Sequence, residues 1–319
     1  VWNTMGAAGL LLVDMPEEYG SAGASFDVAQ MIMWEMSRLG YAGLATGYNI
    51  HANICAPYVN NIGTEAQKAQ WLPKMVTGEV VTAIAMTEPG AGSDLAALRT
   101  TAVADGDDFI LNGSKTFITG GMYSSWASTA VRTGGAGLGG ISLLLIPLDA
   151  EGVSRTQLDK KQGWWASDTA TLYFDNVRVP VGNLVGKENE GFKAIMGNFN
   201  LERMQLIVSM EAFARVCLED AVKWAQERKT FGKTLSQHQV IRHKIADMKQ
   251  RINATQAYIQ VCSKQLMDGK PNAGDIAMCK VQASQTMEFC AREAMQIMGG
   301  ISYIRGTLTR PQQLPSELA

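Results

Sequence analysis

Residues 77–94 read "TGEVVTAIAMTEPGAGSD", and the texture of the chain changes inside this stretch. Upstream, apolar residues recur at helical spacing. In "VVTAIAMTE" they crowd into a short run rich in β-branched side chains, which predicts a strand. Gly90 and Gly92 then follow Pro89 and precede Ser93 and Asp94, a turn-rich composition. A helical part is therefore expected to end near residue 82 and a sheet part to begin at 83.

Working back from there, "GTEAQKAQWLPKMVTGE" carries a capping box, Thr64 with Gln67, and Pro73 is expected to bend or restart that helix. "SFDVAQMIMWEMSRLG" has apolar residues at helical spacing and should stop at Gly40. Met31, Met33 and Met36 on this segment read as core, with an adaptable ligand-lining role as the alternative. The first residue is Val, inside what reads as a structural element, so an upstream portion is expected.

Working forward, "RTTAVADGDDFILNGSKTFITGG", "SSWASTAVRT", "GGISLLLIPL" and "TATLYFDNVRVP" are β-rich runs divided by turn residues, with a hairpin turn at Asp105-Gly106. They predict an antiparallel sheet domain over 83–187. From 188 to the end the pattern is helical. In the segment from Ser236 to Gly269, positions 241, 245, 248, 252, 255, 259, 262 and 266 form a heptad-like seam. Ser236 with Gln239 reads as a second capping box, and Gly269 with Pro271 as the stop. The next helix stops at Gly299-Gly300. Helices over 1–82, sheet over 83–187 and bundle over 188–319 make an α+β chain in three parts.

Bulk numbers bound the function. The 319 residues are 46% apolar and 18% charged, with a net charge of −2. Lys and Arg form no block, so the charge pattern offers no basic surface for nucleic acid or an anionic membrane. The five cysteines show no C-x-x-C spacing and read as reduced thiols of an intracellular protein. His238 and His243 have no third ligand nearby, so no metal site is expected. "ISLLLIPL" is too short to span a bilayer.

Gly135-x-Gly137-x-x-Gly140 fits the dinucleotide fingerprint literally. A strand follows it, whereas phosphate recognition needs a helix N-terminus, so it reads as a flexible hairpin loop. "AMTEPGAGSD" (85–94) carries more. Gly90 and Gly92 let backbone approach a ligand, and successive N–H groups with the Ser93 hydroxyl suit a diphosphate; an ordinary surface loop is the alternative. In "KTFITGG", strand alternation puts Phe117 and Thr119 on one face, an aromatic plane beside a hydroxyl donor.

Taken in order, "AQWLPKMVTGE", "AMTEPGAGSD", "LNGSKTFITGG", "FDNVRVP", "NEGF", "ERKTFGKTLSQHQ", "IADM" and "QIMGG" span residues 60 to 303, and the chain resembles the acyl-CoA dehydrogenase family. The resemblance implies an N-terminal helical domain, a middle antiparallel β domain and a C-terminal four-helix bundle. It implies a homotetramer or homodimer holding FAD between domains and across a subunit boundary. Met86, Thr87 and Ser93 then lie along the flavin and its diphosphate. Phe117 stands where many relatives have tryptophan, and Thr119 near flavin N5. Arg228, Phe231, Gln296, Gly299 and Gly300 reach a neighbouring subunit's FAD, with His238 and Gln239 as a further cofactor-facing pair. Ser93 and Arg203 contact substrate.

Glu202, in "NLERMQL", is ambiguous from the residues alone. The positions one helical turn away are Asn198, Phe199, Gln205 and Leu206, none of them basic. It reads either as a solvated surface charge or as a base facing a pocket. The resemblance decides for the base: the context matches the isovaleryl- and long-chain-like branch, whose catalytic glutamate sits on this bundle helix. The implied reaction is α,β-dehydrogenation of an acyl-CoA, as in fatty-acid β-oxidation or branched-chain acyl-CoA breakdown. Electrons would pass to an electron-transferring flavoprotein, in a bacterial cytoplasm or the mitochondrial matrix. A same-fold flavin monooxygenase or oxidase, or a truncated non-catalytic flavin-binding paralogue, are the alternatives. The tail after about Arg305 departs from the family's pattern.

Overall fold

The computed structural model of the chain describes residues 1–304; the expectation about the tail lies outside them. Two compact units result. The first comprises residues 1–29 and 43–201, the second residues 30–42 and the chain from Glu202.

The first unit opens with helix α1 (Trp2–Ala7). Helix α2 (Phe26–Arg38) ends as the sequence predicts: Gly40 takes φ 87°, and the Tyr41 N–H reaches back to the Met36 carbonyl. Helix α3 (Ala42–Tyr48) runs into a π-helical segment (Asn49–Cys55) and then α4 (Ala56–Ile62). The π segment carries the fully buried His51, which bridges the Met75 carbonyl (3.0 Å) and Thr82 (3.1 Å to Oγ1). Helix α5 (Glu65–Thr77) has the expected Thr64–Gln67 capping box. It runs unbroken through Pro73, so the helix does not restart there. The carbonyl that loses its partner there belongs to Ala69, which is exposed, so water can satisfy it.

The sheet contains β1 (Thr82–Ala85), β2 (Thr101–Asp105), β3 (Asp108–Thr119), β4 (Trp126–Arg132), β5 (Ile141–Pro147), β6 (Val153–Gln157), β7 (Thr169–Pro180) and β8 (Leu184–Val185). The order is β6-β7-β3-β2-β4-β5-β8, with β1 also on β4. Pairing is antiparallel except at β4, which runs parallel to β1 along 126–129 and to β2 at Arg132. Alternating inward side chains such as Phe109, Leu111, Leu172, Phe174 and Val177 build the core. The predicted hairpin forms with Asp105 opposite Asp108, so its tip is Gly106-Asp107. The glycine-rich 134–140 loop joins β4 to β5 as expected. It is stapled rather than loose: Arg132 donates to the Gly135 and Gly137 carbonyls and to those of Ala96 and Leu98.

The second unit is a bundle. Its long helices are α6 (Gly191–Glu227, from Glu202 onward), α7 (Gln239–Met267) and α8 (Ala273–Met298), joined by Gln30–Arg38 of α2. Trp34 donates to Glu211 (2.7 Å), Ser37 meets Ser209 (2.7 Å), and Ser263 donates to Gln30 (2.9 Å). The α7 seam is where the heptad reading puts it, with Met248, Ile252, Thr255 and Cys262 buried. The Thr255 and Thr286 hydroxyls meet at 2.9 Å between α7 and α8. The capping box before α7 is Thr234 with Gln237, two residues earlier than predicted. "TLSQ" satisfies the same pattern and closes a short 3-10 turn, leaving His238 as the N-cap of α7. Cys55, Cys262, Cys279 and Cys290 are buried, Cys217 is half-buried, and all five are free thiols. Met33 is buried while Met31 is 58% exposed, so the α2 methionines do not share one face.

Candidate functional site

In the first unit, the segment after β1 is pinned to the end of β3. The Thr116 N–H donates to the Thr87 carbonyl (2.8 Å), and Lys115 Nζ donates to the Met86 carbonyl (3.0 Å) and to Glu88 Oε1 (2.8 Å). Glu88 also accepts from the backbone N–H groups of Arg99 (2.7 Å) and Thr100 (2.9 Å). Both charges are buried. Burial opposes the Glu88 carboxylate, but Lys115 and the two backbone donors outweigh it and hold Glu88 below the usual carboxylate range. At Lys115 burial wins and pushes the ammonium down to about 8, with Glu88 pulling it back up. Met86, Thr87, Phe117 and Thr119 are thereby brought close in the structure, and Ser93 follows on the same loop.

Sequence reasoning missed Glu88 and Lys115. The signal was present: Lys115 has the same strand parity as Phe109 and Leu111, which points it inward.

Phe117 does not follow simple alternation. Pairing with β7 slips one residue between Lys115 and Ile118, and Phe117 takes φ 59°, the left-handed region unusual for a bulky side chain. The bulge leaves the ring 69% exposed, beside the half-buried Thr119. Gly90 and Gly92 have no positive φ. A Cβ at Gly90 would meet nothing within 4 Å, and one at Gly92 only Thr87 Cγ2 at 4.0 Å. Protein packing therefore does not demand glycine at either position, and the backbone there is open to approach from outside.

The second unit gathers another predicted group at one end of its bundle. Arg228 follows α6, and β9 (Lys229–Thr230) and β10 (Lys233–Thr234) form a hairpin tipped by Phe231-Gly232. Phe231 has φ 52° and is 96% exposed. His238 Nε2 lies 3.1 Å from Thr230 Oγ1, and its ring meets Phe231 edge-on at 6.3 Å. The antiparallel pairing of α7 and α8, tied here by Lys244 to Glu293, brings exposed Gln239 toward Gln296, Gly299 and Gly300. Arg228 is exposed too. Aromatic, amide, permanently cationic and glycine positions on one outer surface suit an extended anionic ligand.

Glu202 and Arg203 are half-buried on α6, which is unbroken at this point. A separate cleft of about 510 Å³ in the first unit, lined by Tyr58, Asn61, Lys187 and Lys193 among others, contains none of the predicted residues. Among the described residues no helix is long and apolar enough to cross a membrane.

Comparison with known proteins covers nearly the whole chain. The acyl-CoA dehydrogenase N-terminal domain matches residues 1–79, the middle domain 83–177 and the C-terminal domain 189–314. An acyl-CoA dehydrogenase of Alternaria alternata is 40% identical over 279 residues, covering 85% of this chain and 64% of that protein. The mouse mitochondrial long-chain specific acyl-CoA dehydrogenase is 34% identical over 307 residues, 95% of this chain and 71% of that one. The chain thus spans about two thirds of the length of these relatives. The crystal structure of an acyl-CoA dehydrogenase from Geobacillus kaustophilus superposes with a TM-score of 0.93 at 37% identity, over 95% of this chain and 80% of that one.

Proposed function

The chain belongs to the acyl-CoA dehydrogenase family, whose cofactor is FAD, and from that premise we propose that it oxidises an acyl-CoA thioester to the trans-2-enoyl-CoA. The observation that carries this reading is the occurrence of all three family domains, in order, in one chain. The residues present fit the cofactor: two glycines that the fold does not require, an exposed aromatic on a strained bulge, and Arg228.

In this reading Met86, Thr87, Ser93, Phe117 and Thr119 hold one flavin. Arg228, Phe231, His238, Gln239, Gln296, Gly299 and Gly300 reach the cofactor of a second copy, which requires a homodimer or homotetramer. When bound, FAD supplies the acceptor for the β-hydride. Glu202 removes the α-proton as general base. Arg203 and Ser93 are the residues that the family resemblance assigns to substrate contact. An electron-transferring flavoprotein takes the electrons onward. The glutamate on α6, in its "LER" context, favours long or branched acyl groups.

The test is an anaerobic visible spectrum of the flavin-loaded protein titrated with straight and branched acyl-CoAs. Bleaching of the flavin supports the dehydrogenase half-reaction. A yellow protein that no acyl-CoA bleaches overturns it.

A further inference from the structure

The cleft of about 510 Å³ in the first unit is lined by none of the residues read as flavin- or thioester-binding. Its volume falls within the roughly 300–1,000 Å³ of sites that hold small molecules. Tyr58 and Ile62 of α4, Val185 of β8 and Ala194 of α6 form an apolar wall, in which Tyr58 and Val185 are buried. Three charged side chains line it as well, Lys187, Glu190 and Lys193, all exposed and so within reach of a ligand from solvent. Two features set this cleft apart from an ordinary surface groove. Neither lysine forms an ion pair or a side-chain hydrogen bond among the described residues, with Glu190 or with any other group. Lys193 stands in the first turn of α6, which holds no acid, and Lys187 in the loop just before it, where the helix dipole already favours negative charge. The second feature is Gly197, inside α6 and on the cleft wall, where a Cβ would meet nothing within 4 Å. Glycine is disfavoured in a helix interior and packing does not call for it here; without a side chain, that side of the cleft stays open.

We propose that this cleft binds a fatty carboxylate, its head between Lys187 and Lys193 and its hydrocarbon on Tyr58, Ile62, Val185 and Ala194. The charges decide the head. Two ammonium groups against the one Glu190 carboxylate leave a net charge of +1 (2 − 1) on the cleft. One carboxylate answers that, whereas a phosphate monoester carries about −1.5 to −2 at pH 7 and leaves an excess. The wall decides the body. A plain hydrocarbon chain gains by burial there and brings no polar group that needs a partner. A nucleobase would bring several, and the amides of the cleft are already engaged: Asn61 accepts from Asn60 (3.1 Å), and Asn198 Nδ2 donates to the Ile54 carbonyl (3.3 Å). A fatty carboxylate is the hydrolysed counterpart of an acyl-CoA, but the inference rests on the cleft and not on the dehydrogenase reading.

The experiment titrates the full chain, loaded with FAD, with decanoate by calorimetry at low salt. Wild type is compared with Lys187→Gln, Lys193→Gln, the double variant and Gly197→Leu, with the melting temperature and flavin content of each. Decanoate should bind wild type, and decanol more weakly, with added salt narrowing the difference. Each lysine variant should weaken decanoate by about 2- to 5-fold, the effect of one exposed charge pair, and the double variant by about the product. Gly197→Leu should abolish binding while keeping or raising the melting temperature, since leucine favours the helix and fills the cleft. Three results overturn the proposal while leaving the dehydrogenase reading intact. One is no binding of decanoate by wild type. Another is equal binding by wild type and all variants, which places the acid in a different cavity. The last is tighter binding of adenosine monophosphate or inorganic phosphate than of decanoate, lost in the same variants, which makes the cleft a phosphate site. Failure of every acyl-CoA to bleach the flavin overturns the dehydrogenase reading and leaves this proposal standing.

Discussion

Lys115 Nζ lies 2.8 Å from Glu88 Oε1, with the lysine side chain fully buried and the glutamate side chain 6% exposed. The pair fastens the Met86–Glu88 segment to the end of β3, where Phe117 and Thr119 emerge. Lys115→Met leaves a buried carboxylate without its ammonium, and Glu88→Gln leaves the reverse. Each should cost roughly 3–5 kcal/mol in denaturant unfolding, and the double variant less than the sum. Strict additivity would show that the two charges do not depend on each other.

Acid sensitivity follows from two buried groups. His51 donates through Nε2 to the Met75 carbonyl and accepts at Nδ1 from the Thr82 N–H, so it is held neutral, and burial pushes it down to about 4. Its folded value lies below the ordinary value of about 6.5, so its contribution is complete above pH 6.5 and lost as pH falls toward 4, roughly 3 kcal/mol in all. Glu88, also lowered, adds a contribution present above its ordinary carboxylate range and lost as pH falls through its lower folded value. Unfolding free energy measured from pH 7 to 4 should fall steeply, and His51→Gln should flatten the upper part of that fall. An unchanged slope in the variant would remove His51 from the account.

Phe117 occupies a left-handed backbone conformation that asparagine adopts more easily. Because the ring is largely exposed, Phe117→Asn should leave stability unchanged or raise it by up to about 1 kcal/mol. If the ring covers flavin, the same variant should release FAD more readily, as read by flavin fluorescence on dilution. Full retention of FAD would leave the strain without a functional reason.

Gln67 closes the capping box of α5 and also donates to the Gly182 (2.7 Å) and Leu184 (2.8 Å) carbonyls. Thr64→Ala should cost about 1 kcal/mol, as for other N-caps. Gln67→Ala should cost distinctly more, because two further acceptors lose their donor. Equal losses in thermal unfolding would show that the cap alone matters.

Glu202→Gln should keep FAD and ligand binding while slowing flavin reduction by about 10²- to 10⁴-fold, the range of a general base. Undiminished reduction in single-turnover measurements would sink the base assignment.

The chain's own local chemistry determines its elements. Glycine stops such as Gly40 and Gly269, the Thr64–Gln67 box, the α7 seam and the β-rich runs act over a few residues, so they are legible in order. Overlapping local signals are less so: "TLSQ" preceded the predicted cap at Ser236, and solvent at Ala69 let α5 pass Pro73. What the sequence could not show is how distant residues meet. Glu88 and Lys115 stand 27 positions apart and become an ion pair only when β3 lies beside the segment after β1. The one-residue slip that exposes Phe117 exists only in its pairing with β7. Gln205 is an ordinary helical residue until packing buries its amide without supplying a partner among the described residues. Local preference is a property of neighbours along the chain, whereas burial and hydrogen-bond satisfaction are properties of neighbours in space, and only the tertiary structure decides those.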